Sequence, residues 1–372
     1  MVDFVKISTR PGKRGTTEVY PRLRIMNSKD LMIRGGDFYA IWLEDRGLWS
    51  TNEMDVVDLI DDAIEEFYNN HREEIPSMHM LKMGDAETGM IDAWHRYCQR
   101  QMRDNYVPLD EHLVFANSPV RKEDYASKRL PYPLEAGDFS SWDRLIGTLY
   151  SEEERHKLEW AIGSIVSGDS KKLQKFLVLY GAQGTGKSTI LNVIEKLFAG
   201  YCSIFDAHAL GSASNQFALE AFRSNPLVAI QHDGDLSRIE DNTRLNSLVS
   251  HEKMTVNEKF KSTYEQDFKA MLFMGTNKPV RITDAKSGLL RRLIDVSPSG
   301  NTLNRRDYEK AVGMIPFELG AIASHCLDVY TQDPHYYDDY TPLGMVEASN
   351  DFYNFMADHY MEFKKENSIT LR

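Results

Sequence analysis

Cysteine is scarce in this chain of 372 residues: Cys98, Cys202 and Cys326 lie far apart and form no C-x-x-C pair. That spacing excludes a disulfide framework and a thiolate zinc site. The eleven histidines show no paired ligand spacing either. No apolar run approaches the roughly 18 residues that a membrane-spanning helix needs, and the N-terminus has no secretory apolar core. A soluble, cytoplasmic protein without membrane attachment is therefore expected. Basic charge is not in excess. A formal net charge of −12 argues against a surface coated for nucleic acid but leaves room for a local basic site. The balance is uneven, with eight Lys or Arg against three acids in residues 1–36, and nine acids without Lys or Arg in 311–363. Internal repeats and low-complexity tracts are also missing.

What is present is a chain long enough for two or three domains, organised around residues 176–190. The apolar run Phe176 to Tyr180 predicts a buried strand. Thr189 to Phe198, with Ile190, Val193, Ile194 and Leu197, predicts a helix. Between them Gly181-Ala-Gln-Gly184-Thr-Gly186-Lys187-Ser188 fits the G-x-x-x-x-G-K-[ST] phosphate loop without a mismatch. Glycines let backbone N–H groups turn inward around phosphates, and the helix N-terminus adds a favourable dipole. Lys187 suits the β and γ phosphates of ATP, and the Ser188 hydroxyl suits Mg²⁺. Gly181, Gly184, Gly186, Lys187, Ser188 and Thr189 are the candidate nucleotide contacts.

The flanks set the organisation. Residues 1–140 predict a mostly helical N-terminal domain. It opens on a basic, turn-rich stretch with a loop or arm at Arg10 to Gly15, followed by a hairpin of Phe38 to Trp42 with Leu48 to Ser50. Helices at Met54 to Tyr68 and Ala86 to Met102 come next, then an irregular stretch from 104 to 140. Helices Ser141 to Leu149 and Glu152 to Val166, the second capped by Ser151, lead into the loop strand. From there to residue 300, alternating strands and helices predict a parallel α/β sheet. Residues 301–372 predict a helical C-terminal segment.

Hydrolysis needs carboxylate for the metal and for the attacking water, at the C-terminal edge of a neighbouring strand. Leu227 to Gln231 predicts that strand, and Asp233 and Asp235 follow it. Asp233 is the candidate metal ligand beside Ser188. The apolar strand from Ala270 to Met274 leads to Asn277, which could orient the attacking water or the γ-phosphate. Val280 stands where an N-K-x-D motif needs an acid, so guanine recognition is excluded. Arg291 and Arg292 open another apolar strand and are candidates for an arginine finger, with Arg292 preferred. The stretch from Lys253 to Lys261 predicts a hairpin with Lys259, Phe260 and Lys261 near its tip. Lysines there suit backbone phosphates and Phe260 a base, while a solvated edge protected by lysine would read the same way.

In order and spacing these motifs resemble superfamily 3 helicases. The stretches Asn225 to Ser237 and Met274 to Pro279 are similar to those of phage and poxvirus-type primase-helicases. Only 90 residues separate Lys187 from Asn277, which fits a compact AAA+-type P-loop NTPase core at about residues 141–300. The resemblance implies an ATP- and Mg²⁺-dependent homo-oligomeric ring, usually a hexamer, moving on single-stranded or forked DNA in phage-type replication. A separate primase or polymerase would work beside it, in the host cytoplasm for a viral source. It also implies that Lys187, Ser188, Asp233 and Asn277 act in cis and Arg291 or Arg292 in trans, with the Lys253 to Lys261 hairpins lining the channel. Two departures matter. His232-Asp233 stands where many members have adjacent acids, so Asp233 and Asp235 remain alternatives. No polymerase-like segment precedes the motor, so primase activity is not expected, and the end at Ser368 to Arg372 suggests a shortened member. The competing reading is a P-loop ATPase that loads or remodels proteins on DNA, or a defence-type ATPase, without unwinding.

Overall fold

A computed structural model describes residues 5–23, 31–34, 38–75, 77–85, 90–101, 107–210, 218–234, 243–256, 264–280 and 288–349. The chain divides into two compact units, residues 1–111 with 119–128, and residues 112–118 with 129–372. Residues 129–140 thus belong with the second unit, and the division falls ahead of the expected position.

The first unit holds strands β1 (Val5–Pro11), β2 (Thr17–Leu23), β3 (Leu31–Arg34), β4 (Phe38–Leu43), β5 (Leu48–Ser50) and β6 (Met78–Met80), with helices α1 (Glu53–His71) and α2 (Met90–Gln101). β1, β2 and β6 form one sheet and β3, β4 and β5 another. The expected mostly helical domain is therefore a mixed one. Its first described residues are a hairpin: Arg10 and Pro11, expected in a loop, end β1, and the turn runs from Gly12 to Thr16. The physical reason is a period-two pattern hidden by charge. Val5 and Val19 point into a core with Val56, Val57, Ile60 and Ile64 of α1, while Arg10 pairs with Glu18 on the other strand. Asn52 caps α1 by accepting from the Met54 N–H.

The second unit is built on β7 (Phe176–Tyr180), β8 (Cys202–Ile204), β9 (Val228–Gln231), a separate hairpin of β10 (Lys253–Val256) and β11 (Tyr264–Asp267), then β12 (Met271–Thr276) and β13 (Leu293–Val296). Five of these make an all-parallel sheet in the order β13-β7-β12-β9-β8. The helices are α3 (Ser140–Leu149), α4 (Glu152–Ser167), α5 (Lys187–Leu197), α6 (Ala207–Leu210), α7 (Thr243–Val249), α8 (Arg305–Gln332) and α9 (Leu343–Ser349).

Alternation along each strand divides the core. Leu177, Leu179, Ile230, Phe273 and Ile294 pack with residues of α3, α4, α5 and α8. Phe176, Val178, Ala229, Leu272 and Met274 pack on the other face with α6, α7 and the inward residues Met254 and Val256 of the hairpin. Both faces are covered, which is why these strands read as unbroken apolar runs. Length and composition alone would let α8 cross a membrane. Here it is a core helix: Ile315 and Ile322 are buried, and the buried Glu318 carboxylate accepts the N–H groups of Ser141 and Trp142 at the start of α3.

Candidate functional site

The chain leaves β7 at Tyr180 and turns through glycines into α5. Gly184 (φ +79°) and Gly186 (φ +89°) adopt left-handed backbone that a side chain would strain. Gly181 and Gly186 also lack room: an added Cβ would stand 2.9 Å from Pro298 and 2.8 Å from Leu149, respectively. Gly186 caps α5 without a side-chain bond, so the first-turn N–H groups have no partner inside the helix. Lys187, 7% exposed, is tucked under the loop. Its Nζ donates to the carbonyls of Gly181 and Ala182 and to Asn277 Oδ1, each at 2.8 Å. Burial draws its pKa down, and nearby Asp233 opposes that shift.

Strand order brings the rest together. β12 lies between β7 and β9, so Asn277, just past β12, and Asp233, two residues past β9, reach the same C-terminal edge as the loop. The connections are stitched there, Gly181 N–H to Thr276 O at 3.3 Å and Gly234 N–H to Gly275 O at 2.8 Å. Gly184, Gly186, Lys187, Ser188, Thr189, Asp233 and Asn277 line one cleft of ≈ 410 Å³. The exposed Ser188 hydroxyl and Asp233 carboxylate form an oxygen donor set that fits Mg²⁺, an ion that takes one or two protein oxygens with phosphate and water completing its shell. Asp235, Lys259, Phe260 and Lys261 lie outside the described residues; among the described residues, Asp233 is the acid that lines the cleft.

The cleft has a second wall that carries no motif. Leu149, Thr302, Leu303 and Tyr308 also line it. Tyr308 lies in the first turns of α8, behind the N-cap Asn304, and its hydroxyl is 3.0 Å from Thr189 Oγ1. Apolar groups facing a phosphate-type loop suit a flat base. Sequence patterns did not point to them because an aromatic near a helix start is commonplace.

Arg291 and Arg292 are not at this cleft. They precede β13, which pairs in parallel with β7 and sets Leu293 beside Phe176. Both arginines therefore stand at the opposite, N-terminal edge of the sheet. The five residues of β7 separate the two edges by roughly 16 Å, at about 3.3 Å per residue. Arg292, the preferred finger, is 6% exposed and turned inward. Its guanidinium donates to Ser250 Oγ at 2.6 and 2.9 Å and to Gly288 O at 2.6 Å. Arg291 is exposed. The preference is thereby reversed, because successive residues of the short 3₁₀ turn at Leu290–Arg292 point different ways. The expected hairpin is present as β10 and β11, with Lys253 exposed at its base.

No curated protein matches the chain. A family of unknown function, DUF5906, matches residues 179–292, from the end of β7 to Arg292. Among solved structures, the chain is similar to an apo A form of the NrS-1 C-terminal region. The TM-score is 0.50 and the identity 13%, over 87% of this chain and 72% of that one. Another apo structure of the same region gives 0.49 and 12%, over 86% and 72%. A JCV helicase structure overlaps 60% of this chain and 62% of its own, at a TM-score of 0.36 and 11% identity, too loosely to support an argument. What this chain shares with the NrS-1 C-terminal region is a fold.

Proposed function

We propose that this chain is the ATP-driven motor of a DNA helicase, working as a head-to-tail homo-oligomeric ring, a hexamer as the resemblance to superfamily 3 helicases implies, on single-stranded or forked DNA. One observation carries the reading: Lys187, Ser188, Asp233 and Asn277 converge on one cleft at the C-terminal edge of a parallel sheet, where such sheets bind ligands.

In this reading the N–H groups of residues 184–188 hold phosphate oxygens, and Lys187 gives up the Gly181 and Ala182 carbonyls for the γ-phosphate. Asn277, already bonded to Lys187, presents its amide to the attacking water or to the γ-phosphate. Asp233 takes up the proton or orients that water. Mg²⁺, when bound beside Ser188 and Asp233, would neutralise charge on the phosphates. The base rests on Leu149, Leu303 and Tyr308. Arg291, too far from its own cleft, stabilises the γ-phosphate held by a neighbouring copy. DNA meets the hairpin that begins at Lys253, and priming falls to a separate primase or polymerase.

The test is ATP turnover with and without single-stranded DNA, together with unwinding of a forked duplex, for wild type and Lys187→Ala. DNA-stimulated turnover and strand separation, both lost in the variant, are expected. Turnover indifferent to DNA sinks the proposal. Stimulated turnover without strand separation favours an ATPase that loads or remodels proteins on DNA.

A further inference from the structure

The sheet edge opposite the cleft is one hydrogen-bonded assembly that the catalytic reading leaves unused. α7 ends in a turn, Ser250-His251, with His251 in the left-handed region at φ +56°. The imidazole lies between two carbonyls, with Nδ1 2.8 Å from Phe268 O and Nε2 3.0 Å from Leu173 O, and an N–H of the ring donates to one or the other according to the tautomer. The turn thus packs against both the chain leaving the hairpin and the chain entering β7. Ser250 Oγ takes two donors of the Arg292 fork, while the third goes to Gly288 O. Lys175, also buried, donates to Arg291 O at 2.7 Å and Asp338 O at 2.9 Å. The two arginines are thus fixed differently. Arg291 is held by its backbone with its side chain exposed, and Arg292 is held by its side chain. β10 begins at Lys253, close behind Ser250 in sequence.

We infer that Arg292 is a positioning residue: through Ser250 it couples the base of the β10–β11 hairpin to the exposed Arg291. The inference rests on the motor reading above and adds the route by which DNA at the hairpin governs turnover at a neighbouring copy's cleft. Two features favour a coupling over a plain structural pin. A guanidinium fork is directional, so its plane follows the single hydroxyl that accepts two of its donors. That acceptor is neutral although Glu252 is nearby and raises the Arg292 pKa against the lowering by burial and by Arg291. A charge-to-hydroxyl bond holds a geometry and can still be remade when the turn moves.

The test uses the full chain with Ser250→Ala and Ser250→Thr, since Ser250 does not line the cleft. Basal ATP turnover, DNA-stimulated turnover, single-strand affinity and the melting midpoint are measured for each. Ser250→Ala should keep its basal turnover and DNA affinity and lose a few degrees of midpoint, since two buried Arg292 donors lose their acceptor, while its DNA stimulation falls about fivefold or more, the low end of ordinary coupling between sites. Ser250→Thr, which retains the hydroxyl, should restore stimulation. Wild-type stimulation in Ser250→Ala overturns the inference, as does parallel loss of basal and stimulated turnover or a Thr variant that behaves like Ala. A wild type not stimulated by DNA overturns the motor reading itself, and is recognised without any variant.

Discussion

Lys187→Met keeps the length of the side chain and removes its charge and donors. In the free protein the loss should be small. Lys187 makes three bonds at 2.8 Å, but Ala182 and Asn277 are exposed, so water can replace the ammonium at those acceptors. A net hydrogen bond in such a setting is worth about 1 kcal/mol, and removing a desolvated cation returns part of it. A cost of about 1–2 kcal/mol lowers the melting midpoint by only a few degrees in a unit of this size. Nucleotide binding should respond much more. A hydrogen bond from a charged group contributes about 1.5–3 kcal/mol, so losing one weakens ATP affinity roughly 10- to 100-fold. Isothermal titration with Mg·ATP, beside calorimetric melting of the same samples, separates the two effects. ATP affinity within about twofold of wild type, with melting still cooperative, would refute the reasoning. It would mean that the ammonium never leaves the Gly181 and Ala182 carbonyls for phosphate.

Two further predictions concern the core. Gly163→Ala would place a Cβ 2.0 Å from the Cys326 carbonyl oxygen, where α4 crosses α8, and overpacking of this kind costs about 1–3 kcal/mol. A clear drop in melting midpoint is expected, and an unchanged one would show that the two helices separate at little cost. Burial, aided by Glu53, pushes the Cys98 thiol up to about 12, and burial pushes that of Cys326 well above its ordinary value, with Glu159 adding to the shift. Both should resist alkylation near pH 8 until denaturant is added. The folded state holds these protons more tightly than the unfolded chain. Their contribution is therefore complete below about pH 8.5 and is lost as pH rises toward 12, so urea midpoints should fall on the alkaline side. Fast native labelling, or midpoints flat across that range, would contradict this.

What could be read in advance depended on how local its cause was. The glycine loop, its strand and its helix are adjacent in the chain, and the φ values of Gly184 and Gly186 are the kind that glycine makes easy. The parallel sheet was legible because strands buried on both faces leave apolar runs such as Phe176 to Tyr180. β1 and β2 were not, since the charged pair Arg10 and Glu18 and the prolines at 11 and 21 obscure the inward Val5 and Val19. Tyr308 is 119 residues from its partner Thr189, Ser250 is 42 from Arg292, and Lys175 is 163 from Asp338. Nothing short of the tertiary structure brings such pairs together. The inward turn of Arg292 was equally hidden, because two adjacent arginines look alike in sequence.

The glycine loop and the arginine pair stand at opposite edges of one sheet, and under the motor reading each copy would carry a socket at one end and a plug at the other. In that reading an open row of copies always ends in an unfilled socket, and only closure fills every one. Turnover per copy should then climb with protein concentration. A copy lacking Arg291 would keep its own site in working order and silence its neighbour's, so the defect would be felt one place along from where it was made.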